Sequence, residues 1–525
     1  MSTGKKMRGL SILLAAWIVA SLACNYPGYP PRSTALSGEA LRQTLAALGA
    51  NNTPAATGTA QVFPGETSAP LAGLVTATPP GLPSATPGPI LGDPTRIRYF
   101  AQPGDTLTSL AGRYKVEPEL ILSSQPIPTA AFIPPGQELR IPNLLSETPY
   151  PSAILPDSAV VNSPSAAGFD LPGYIRQAGG YLSSYTERLG GKTLTGAEVV
   201  QLVSIESSIH PKLLLALVEF QTGWVSGQPG SAMDARYPVG FHVTGWSGLY
   251  KELVIAATHL NIGYYGWRAG TYTELRYRNQ GSDRLSPGLN AGSIAVQSLF
   301  ARLYDRPDYA EAIYGQQGFA NTYAHMFGDP WVAATQVEPL FPASATQPEL
   351  ALPFATGERW SLTGGPHLSW KTGSPRGAID WAPTIGEKAC AVSRAWVTAP
   401  AAGLVTRSDR NVVAVDLDGD GYEQTGWVIV FLHVADSERI QAGTPVSLDD
   451  RLGHPSCEGG TSTGTHVHMA RKYNGEWLTA DGPLPFVLSG WQVYAGEKNY
   501  QGELRQGSQV VTASSVGPRT STDIR

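Results

Sequence analysis

The spacing of apolar and polar positions changes several times along the chain, and each spacing predicts a different kind of segment. Residues 10–23 form one apolar run, LSILLAAWIVASLA, behind a basic start that contains Lys5, Lys6 and Arg8. A membrane-spanning helix needs about 20 apolar residues, so this run is too short for a comfortable span. Its length and basic flank are typical of a signal peptide, which we expect over residues 1–24.

Residues 25–96 show no regular apolar period. They are rich in Pro, Thr, Ala and Gly and nearly free of charge, as in TPPGLPSATPGP. Such a composition cannot bury enough apolar surface to fold. We therefore expect a disordered, extended tether here.

Short strand-like and helix-like patterns alternate over residues 97–143. The segments RYFA and ELRIP predict two strands, and TLTSLAGRY and PELILSSQ between them have helical spacing. Asp105 or Thr106 can cap the first helix, and Glu117-Pro118 can begin the second. The pattern predicts a small α+β domain.

A linker over residues 144–168 separates this domain from a helical region over residues 169–342. HPKLLLALVEFQTGW, with Pro211 at the helix start, predicts an almost wholly apolar helix, and LNAGSIAVQSLFARLYD predicts another. A helix that is apolar all round is buried in a core. We expect a central all-α domain.

The apolar runs of residues 350–495 are short and β-branched, as in VVAV and WVIVFL, and predict an antiparallel β domain ahead of a C-terminal extension, 496–525. In the segment THVHMARKY, His466 and His468 stand one residue apart. On a strand, both imidazoles lie on the same face. Such a pair can share a metal or divide metal binding and proton transfer between them. It can also be an accidental pair on a solvated strand.

The whole-chain composition limits the functions to be considered. With 525 residues the chain is too long for one core and suggests three or four units. Its net charge of −5 gives no general attraction to nucleic acid, so no nucleic-acid partner is expected. The 58 glycines and 43 prolines favour β-rich domains joined by linkers.

The cysteines of the chain are Cys24, Cys390 and Cys457. The segment ASLAC resembles a bacterial lipobox, although Ser21 stands where that motif prefers Leu. The resemblance implies that Cys24 becomes a lipidated N-terminus that anchors the exported protein to the outer face of a membrane; ordinary secretion is the alternative. In an exported protein, the two remaining cysteines usually pair. Neither has a CxxC partner, so we expect a Cys390–Cys457 disulfide rather than a cysteine metal site.

The segments YFAQPGDTLTSLAGRYKV and IPPGQELRIP closely resemble the LysM module. The resemblance implies a βααβ fold that binds N-acetylglucosamine-containing glycans, mostly peptidoglycan or chitin. A domain of this fold that has lost glycan binding is the alternative.

The central segment LLLALVEFQTGW weakly resembles the helix of lysozyme-like transglycosylases, where an acidic residue precedes Ser/Thr-Gly. There a carboxylic acid would protonate the glycosidic oxygen. Gln221 stands at that position and cannot donate such a proton, and Glu219 lies on a different side of the helix. We expect a lysozyme-like helical domain that is not catalytic, with a lytic glycosidase as an alternative.

Three segments together are similar to the lysostaphin-type zinc endopeptidases, particularly their β-lytic, LasA-like branch: GGPH…GSPRGAID, FLHVAD and CEGGTSTGTHVHMARKYNGEWL. Most of that superfamily has H-x-G-x-D, but Arg376 replaces its histidine here. The β-lytic branch takes its first histidine from an upstream GG-x-H, which this chain has.

The resemblance implies one zinc ion per chain, held by His367, Asp380 and His468. It assigns His433 and His466 to the reaction. Two imidazoles and a carboxylate leave a position open for water. No HExxH segment occurs, so a glutamate base of the thermolysin type is not supported.

By this resemblance the protein is a cell-surface peptidoglycan hydrolase that cleaves amide bonds in wall peptides. It would bind peptidoglycan and be held at a membrane by its lipid anchor. The rival interpretation is a non-catalytic wall-binding lipoprotein that activates another hydrolase.

The segment DLDGDGYEQTG resembles the start of a calcium loop, with Asp416, Asp418 and Asp420 at alternate positions. Trp427 stands where such a loop has Glu, and a tight hairpin turn explains the segment equally well. Calcium therefore remains a possible second metal. His454 matches no ligand position and is interpreted as a loop histidine.

Overall fold

The computed structural model describes residues 88–90, 93–145, 148–342, 345–515 and 522–524. The predicted signal peptide, Cys24 and most of the predicted tether lie outside the described residues. Among the described helices, none is long and apolar enough to cross a membrane.

The N-terminal unit, residues 88–145, is a three-stranded antiparallel sheet with one α-helix. Its elements are β1 (Gly88–Ile90), β2 (Asp93–Phe100), α1 (Leu107–Tyr114) and β3 (Glu138–Pro142). A capping box between Thr106 and Ser109 begins α1, as the sequence predicts. The first strands begin within the range that we expected to be tether.

The prediction of a second helix in this unit is wrong. Only a short 3₁₀ turn forms, Pro118–Leu120, because the chain is already extended at Ile121. Leu122 then exchanges backbone hydrogen bonds with Arg140 on β3. Pairing with the sheet has overridden the helical spacing.

The central unit, residues 148–342, is mainly helical. Its helices are α2 (Leu171–Ala178), α3 (Gly196–Ser207), α4 (Pro211–Thr222), α5 (Leu249–Arg268), α6 (Ala291–Leu303), α7 (Arg306–Tyr314), α8 (Phe319–Phe327) and α9 (Pro330–Ala334). The predicted apolar helix α4 begins at Pro211 and ends before Gly223, which adopts the left-handed conformation that favours glycine.

The expectation of an all-α unit is corrected by two β-hairpins in the described residues. They are β4 (Thr186–Leu189) with β5 (Lys192–Thr195), and β6 (Glu274–Arg276) with β7 (Ser282–Arg284). The first hairpin turns through Gly190 and Gly191, both at positive φ, as two-residue hairpin loops require.

The β domain, residues 345–515 and 522–524, is antiparallel, as predicted. Its strands are β8 (Arg359–Leu368), β9 (Arg376–Pro383), β10 (Val397–Thr398), β11 (Gly403–Asp409), β12 (Val412–Asp416), β13 (Trp427–Leu432), β14 (Pro445–Val446), β15 (Arg451–Gly453), β16 (Val467–Tyr473), β17 (Glu476–Trp477), β18 (Val487–Leu488), β19 (Trp491–Ala495), β20 (Gly502–Gln506), β21 (Gln509–Thr512) and β22 (Thr522–Ile524). The main sheet has the order β14-β11-β12-β13-β16-β9-β8-β22, with β17 beside β16.

A second sheet, β18-β19-β20-β21, crosses the predicted boundary at residue 495. Strand β19 pairs with β20, and Leu504 is buried in the same core as Trp491. The expected C-terminal extension is thus largely part of the β domain.

Alternate residues of the main sheet belong to two different cores. Val413 and Met469 face the β domain's own core, whereas Ala378 and Ala470 join the core of the central unit. Asp380 and His468 are each two positions from one of these alanines. The central unit therefore covers the sheet face to which both residues belong.

The N-terminal unit also packs directly on the central unit. Buried Arg113 of α1 donates to the carbonyl of Trp267 (3.1 Å), and Gln102 donates to the carbonyl of Gly288 (2.7 Å). The units are packed together, so the N-terminal unit is not an isolated module on a linker.

Candidate metal centre

Neighbouring strands bring the three predicted ligand residues together. His468 of β16 lies opposite Asp380 of β9, and β9 pairs on its other side with β8, which carries His367. Nε2 of His367 is 3.0 Å from Nδ1 of His468 and 3.2 Å from Oδ1 of Asp380. Nδ1 of His468 is 3.4 Å from the same oxygen. All three side chains are buried.

Backbone carbonyls orient the two imidazoles. Nδ1 of His367 lies 2.9 Å from the carbonyl of Gly365, and Nε2 of His468 lies 3.0 Å from that of Ser369. When these nitrogens donate to the carbonyls, the opposite nitrogens turn their lone pairs towards Asp380.

Oδ1 of Asp380 is buried and receives no hydrogen bond from the described part of the chain. Burial alone would raise the pKa of this carboxyl, but His367 and His468 hold it well below its ordinary value. Burial lowers the pKa of His468, which favours the neutral imidazole that binds metals. Burial would also lower the pKa of His367, but the carboxylate of Asp380 raises it above its ordinary value. Three converging electron-pair donors fit a divalent cation, whose charge removes their mutual repulsion.

Steric contacts explain why the GG-x-H segment has glycine at positions 364 and 365. A Cβ on Gly364 would lie 2.5 Å from Oδ2 of Asp380, and one on Gly365 would lie 2.6 Å from the backbone of Gln501. The first glycine leaves room for the carboxylate. The second lets the β19–β20 turn approach the site.

His433 and His466 lie beside these ligand residues with their ring centroids 4.5 Å apart. Nδ1 of His433 is 2.8 Å from the carbonyl of Glu458, and Nδ1 of His466 is 2.8 Å from that of Gly464. This leaves Nε2 of each ring to exchange a proton, and Nε2 of His466 is 3.9 Å from Oδ1 of Asp380.

The ring of His433 is held in its neutral form. Burial and the adjacent His466 lower the pKa of His433 to about 3, so its ring is neutral at physiological pH. His433 directly follows β13, and its backbone φ is +67°. Residues other than glycine rarely adopt this conformation. His466 directly precedes β16, and its backbone forms a bridge with Ser456.

Two residues near the site have contacts that the sequence reasoning did not predict. Tyr500 stacks on the ring of His367 with centroids 4.2 Å apart. Arg376 donates to the carbonyls of Gly496 (2.9 Å) and Lys498 (2.7 Å) and so holds the turn that carries Tyr500. Arg376 thus fastens the edge of the site.

The sulfur atoms of Cys390 and Cys457 are 2.09 Å apart, as in a disulfide. Cys457 is adjacent to Glu458, whose carbonyl faces His433. The bridge therefore joins the loop after β9 to the segment that orients the catalytic candidates.

The acidic segment forms a loop between β12 and β13 rather than a tight hairpin turn. Ligand atoms of Asp416, Asp418 and Asp420 lie within 4.8 Å of one another. Their carboxylates accept hydrogen bonds from amides of the same loop, including that of Gly421 on Asp416 (2.9 Å). These contacts account for the cluster, and calcium gains no support from it.

The remaining predicted positions have structural contacts. His454 is buried, faces the carbonyl of Ala395 (2.8 Å), and follows β15. Glu219 accepts from the amide of Val225 (2.9 Å), and Gln221 accepts from the hydroxyl of Tyr304 (3.1 Å). These contacts give no glycosidase site.

Two family models match the chain. One is "LasA, N-terminal domain", over residues 153–340, and the other is "LysM domain", over residues 99–142. The LysM prediction is confirmed. The lysozyme-like interpretation of the central unit is not confirmed, since this region matches the LasA N-terminal domain instead.

Relatives extend the likeness to the β domain. Protease LasA of Pseudomonas aeruginosa (strain UCBPP-PA14) is 27% identical over 393 residues, which cover 69% of this chain and 84% of the relative. The β-lytic metalloendopeptidase of Achromobacter lyticus is 28% identical over 159 residues, 29% of this chain and 39% of the relative.

A solved structure, the M23 metalloprotease pseudoalterin from the deep sea, is 21% identical with a TM-score of 0.27 and covers 32% of this chain and 96% of its own. The predicted β-lytic, LasA-like resemblance is confirmed by the sequence relatives. The chain is thus similar in sequence to protease LasA and to the β-lytic metalloendopeptidases. In this chain the matches to the LysM domain and to the LasA N-terminal domain precede the β domain that carries the histidine site.

Proposed function

We propose that this protein is a zinc-dependent endopeptidase that cleaves amide bonds in the peptides of peptidoglycan. The observation that carries the proposal is the convergence of His367, Asp380 and His468, with a buried carboxylate oxygen that receives no hydrogen bond from the described residues. His433 and His466 beside it supply the proton-transfer groups.

His367, Asp380 and His468 would hold the zinc ion. Bound there, zinc supplies a Lewis acid that activates water and polarises the peptide carbonyl. Neutral His433 accepts the proton that the attacking water loses and passes it to the amine that leaves when the amide bond breaks. In its protonated form His466 donates a hydrogen bond from Nε2 to the oxygen that becomes negative during the attack, while its Nδ1–H is directed at the Gly464 carbonyl. The carbonyls of Glu458 and Gly464 keep both rings turned for these tasks.

The N-terminal unit would bring the enzyme to its substrate by binding peptidoglycan, as its LysM match supports. We also propose that the protein is exported and attached at the cell surface through Cys24. The signal-like run and the ASLAC segment support this location.

The rival role, a non-catalytic activator of another hydrolase, needs no metal or proton-transfer groups. All five positions are filled here and lie together, which favours an enzyme. A glycosidase in the central unit is disfavoured, since Gln221 cannot act as an acid and Glu219 is held by backbone amides.

The experiment is digestion of purified peptidoglycan with the zinc-loaded chain, followed by mass spectrometry of the products. We expect new amino and carboxyl termini within the peptides, and their loss in His468→Ala. Anhydromuramyl ends without new amino termini would show a transglycosylase and contradict the proposal.

A further inference from the structure

Two cations of the β domain meet beside the proposed active site. Lys371 lies in the loop between β8 and β9, four positions after His367, and Arg410 lies in the turn between β11 and β12. Both bind the same carboxylate, which belongs to Glu206 on α3 of the central unit. The Lys371 Nζ–Glu206 Oε2 distance is 2.9 Å, and the Arg410 Nη1–Glu206 Oε1 distance is 2.7 Å.

The three charged residues of this ion pair line a small pocket. Its other walls are Trp370, Val412, Leu432 and Gly459. Leu432 directly precedes His433, and Gly459 follows Glu458, whose carbonyl orients the His433 ring. The pocket that the two cations line is therefore adjacent to the residues that carry and orient the His433 ring.

The β domain has little of its own to neutralise these cations. Among the described residues, Lys371 has its ion pair with Glu206, and Arg410 has one further carboxylate, Asp409, at 3.7 Å. Burial would raise the pKa of Glu206, but Lys371 and Arg410 lower it to about 2, so the group is a carboxylate. Cations among apolar walls are costly unless an anion accompanies them.

The second ion pair between these units has the opposite arrangement. There the central unit supplies the cation, Arg268, and the β domain supplies the carboxylate, Glu476 (3.1 Å). Asp157 of the central unit also binds Arg268 (2.9 Å). Among the described residues, Glu206 is the anion of the central unit to which the β domain presents two cations.

We propose that Lys371 and Arg410 form a carboxylate-binding subsite of the peptidase cleft, which Glu206 occupies in this structure. A peptide that carries a carboxylate close to its scissile bond takes the same place when α3 moves away. That the ligand is a substrate rests on the proposed endopeptidase function. The alternative is that the ion pair of Glu206 with Lys371 and Arg410 only holds the two units together.

The first test uses the full-length chain with Glu206→Ala and acetate as the probe. The variant should melt at a lower temperature than the wild type, and millimolar acetate should raise its melting temperature by a few degrees. Acetamide and sodium chloride at equal concentration should not. The effect should disappear in Glu206→Ala with Lys371→Met. Asp305→Ala is the control, because its 3.0 Å ion pair with Arg278 is exposed and its loss leaves no enclosed site for acetate.

Absence of an acetate-specific rise would overturn the subsite, and so would an equal rise in the Lys371→Met double variant. If Glu206→Ala does not fold, the isosteric Glu206→Gln chain decides the question through its cleavage preference. Two soluble peptides serve as substrates, differing only in Glu or Gln beside the scissile bond.

We expect Glu206→Gln to increase the ratio of kcat/KM for the Glu peptide over the Gln peptide by about tenfold relative to the wild type. Adding Lys371→Met to Glu206→Gln should abolish this preference for the Glu peptide. A ratio that Lys371→Met leaves unchanged would overturn the subsite while leaving the endopeptidase function intact. If no variant cleaves either peptide, the proposed function is wrong, and direct binding of the same peptides to Glu206→Gln by calorimetry decides the subsite. Preferred binding of the Glu peptide supports it, and equal binding overturns it.

Discussion

His468 lies directly opposite Asp380 on the adjacent antiparallel strand, and this pairing places Nδ1 of the imidazole 3.4 Å from Oδ1 of the carboxylate. The register of two strands therefore builds half of the proposed metal site. A shift of either strand by one residue would turn its ligand to the opposite face of the sheet and separate it from the other. His367 reaches the same point from β8 across Gly364, whose missing side chain leaves room for Asp380.

The proton-transfer roles of His433 and His466 predict a separation of metal binding from activity. His433→Ala and His466→Ala should each keep about one zinc per chain and lose on the order of 10²–10³ in kcat on soluble peptide. Since such groups act in the transition state, kcat and kcat/KM should fall together. Metal analysis beside steady-state kinetics checks this. Full activity in both variants would contradict the roles.

The Cys390–Cys457 bridge predicts a loss of stability when both cysteines are replaced by serine. Opening it should lower the free energy of unfolding by about 2–4 kcal/mol, measured by urea denaturation under non-reducing conditions. The double variant should also turn over more slowly, because Glu458 next to Cys457 orients His433. A wild-type chain with two reactive thiols would show that the bridge does not form.

The buried pair Arg113–Asp105 predicts that the N-terminal unit is sensitive to loss of one charge. Nη1 of Arg113 lies 2.6 Å from Oδ1 of Asp105, and both side chains are almost fully buried. Arg113→Ala leaves this carboxylate unpaired and should cost about 3–5 kcal/mol of unfolding free energy. Arg98→Ala is the control, since its 3.8 Å pair with Glu138 is exposed and should contribute less than about 1 kcal/mol. Equal losses in the two variants would contradict this account.

Glu338 predicts a pH dependence of stability. Burial and the nearby Asp157 raise the pKa of Glu338 from 4.5 to about 7, although Ser158 and Arg268 oppose the shift. The folded state thus binds the proton more readily than the unfolded state. The cost of its charge is full above pH 7 and disappears as the pH falls towards 4.5.

The isosteric Glu338→Gln removes that charge and keeps the oxygen that accepts from the amide of Ser158. It should be more stable than the wild type at pH 8, by on the order of 1–3 kcal/mol, with little difference at pH 4.5. Urea unfolding at the two pH values measures this. A difference that does not change with pH would exclude the titration of Glu338 as its cause.

The sequence predicted the strands around the site because their side chains repeat with period two and their cores are β-branched. It also placed His367, Asp380, His433, His466 and His468 in one domain through a family resemblance. It could not predict that Arg376 would hold a turn 120 positions away or that Tyr500 would stack on His367. Those contacts arise from the second sheet packing on the first, and no local pattern encodes such packing.

The role of Glu206 was also outside the reach of local pattern. It is a charged residue near the end of α3, and that position alone predicts a solvated side chain. Only the packing of the central unit against the β domain places it between Lys371 and Arg410. The second predicted helix of the N-terminal unit failed for a related reason, since Leu122 pairs with β3.

The most direct test of the proposed centre is the zinc content of His468→Ala beside His466→Ala, measured by inductively coupled plasma mass spectrometry after dialysis. His468 supplies a ligand nitrogen, whereas His466 serves the reaction. We predict about one zinc per chain in the wild type and in His466→Ala, and almost none in His468→Ala. Full zinc occupancy in His468→Ala, or its loss from His466→Ala alone, would contradict the account.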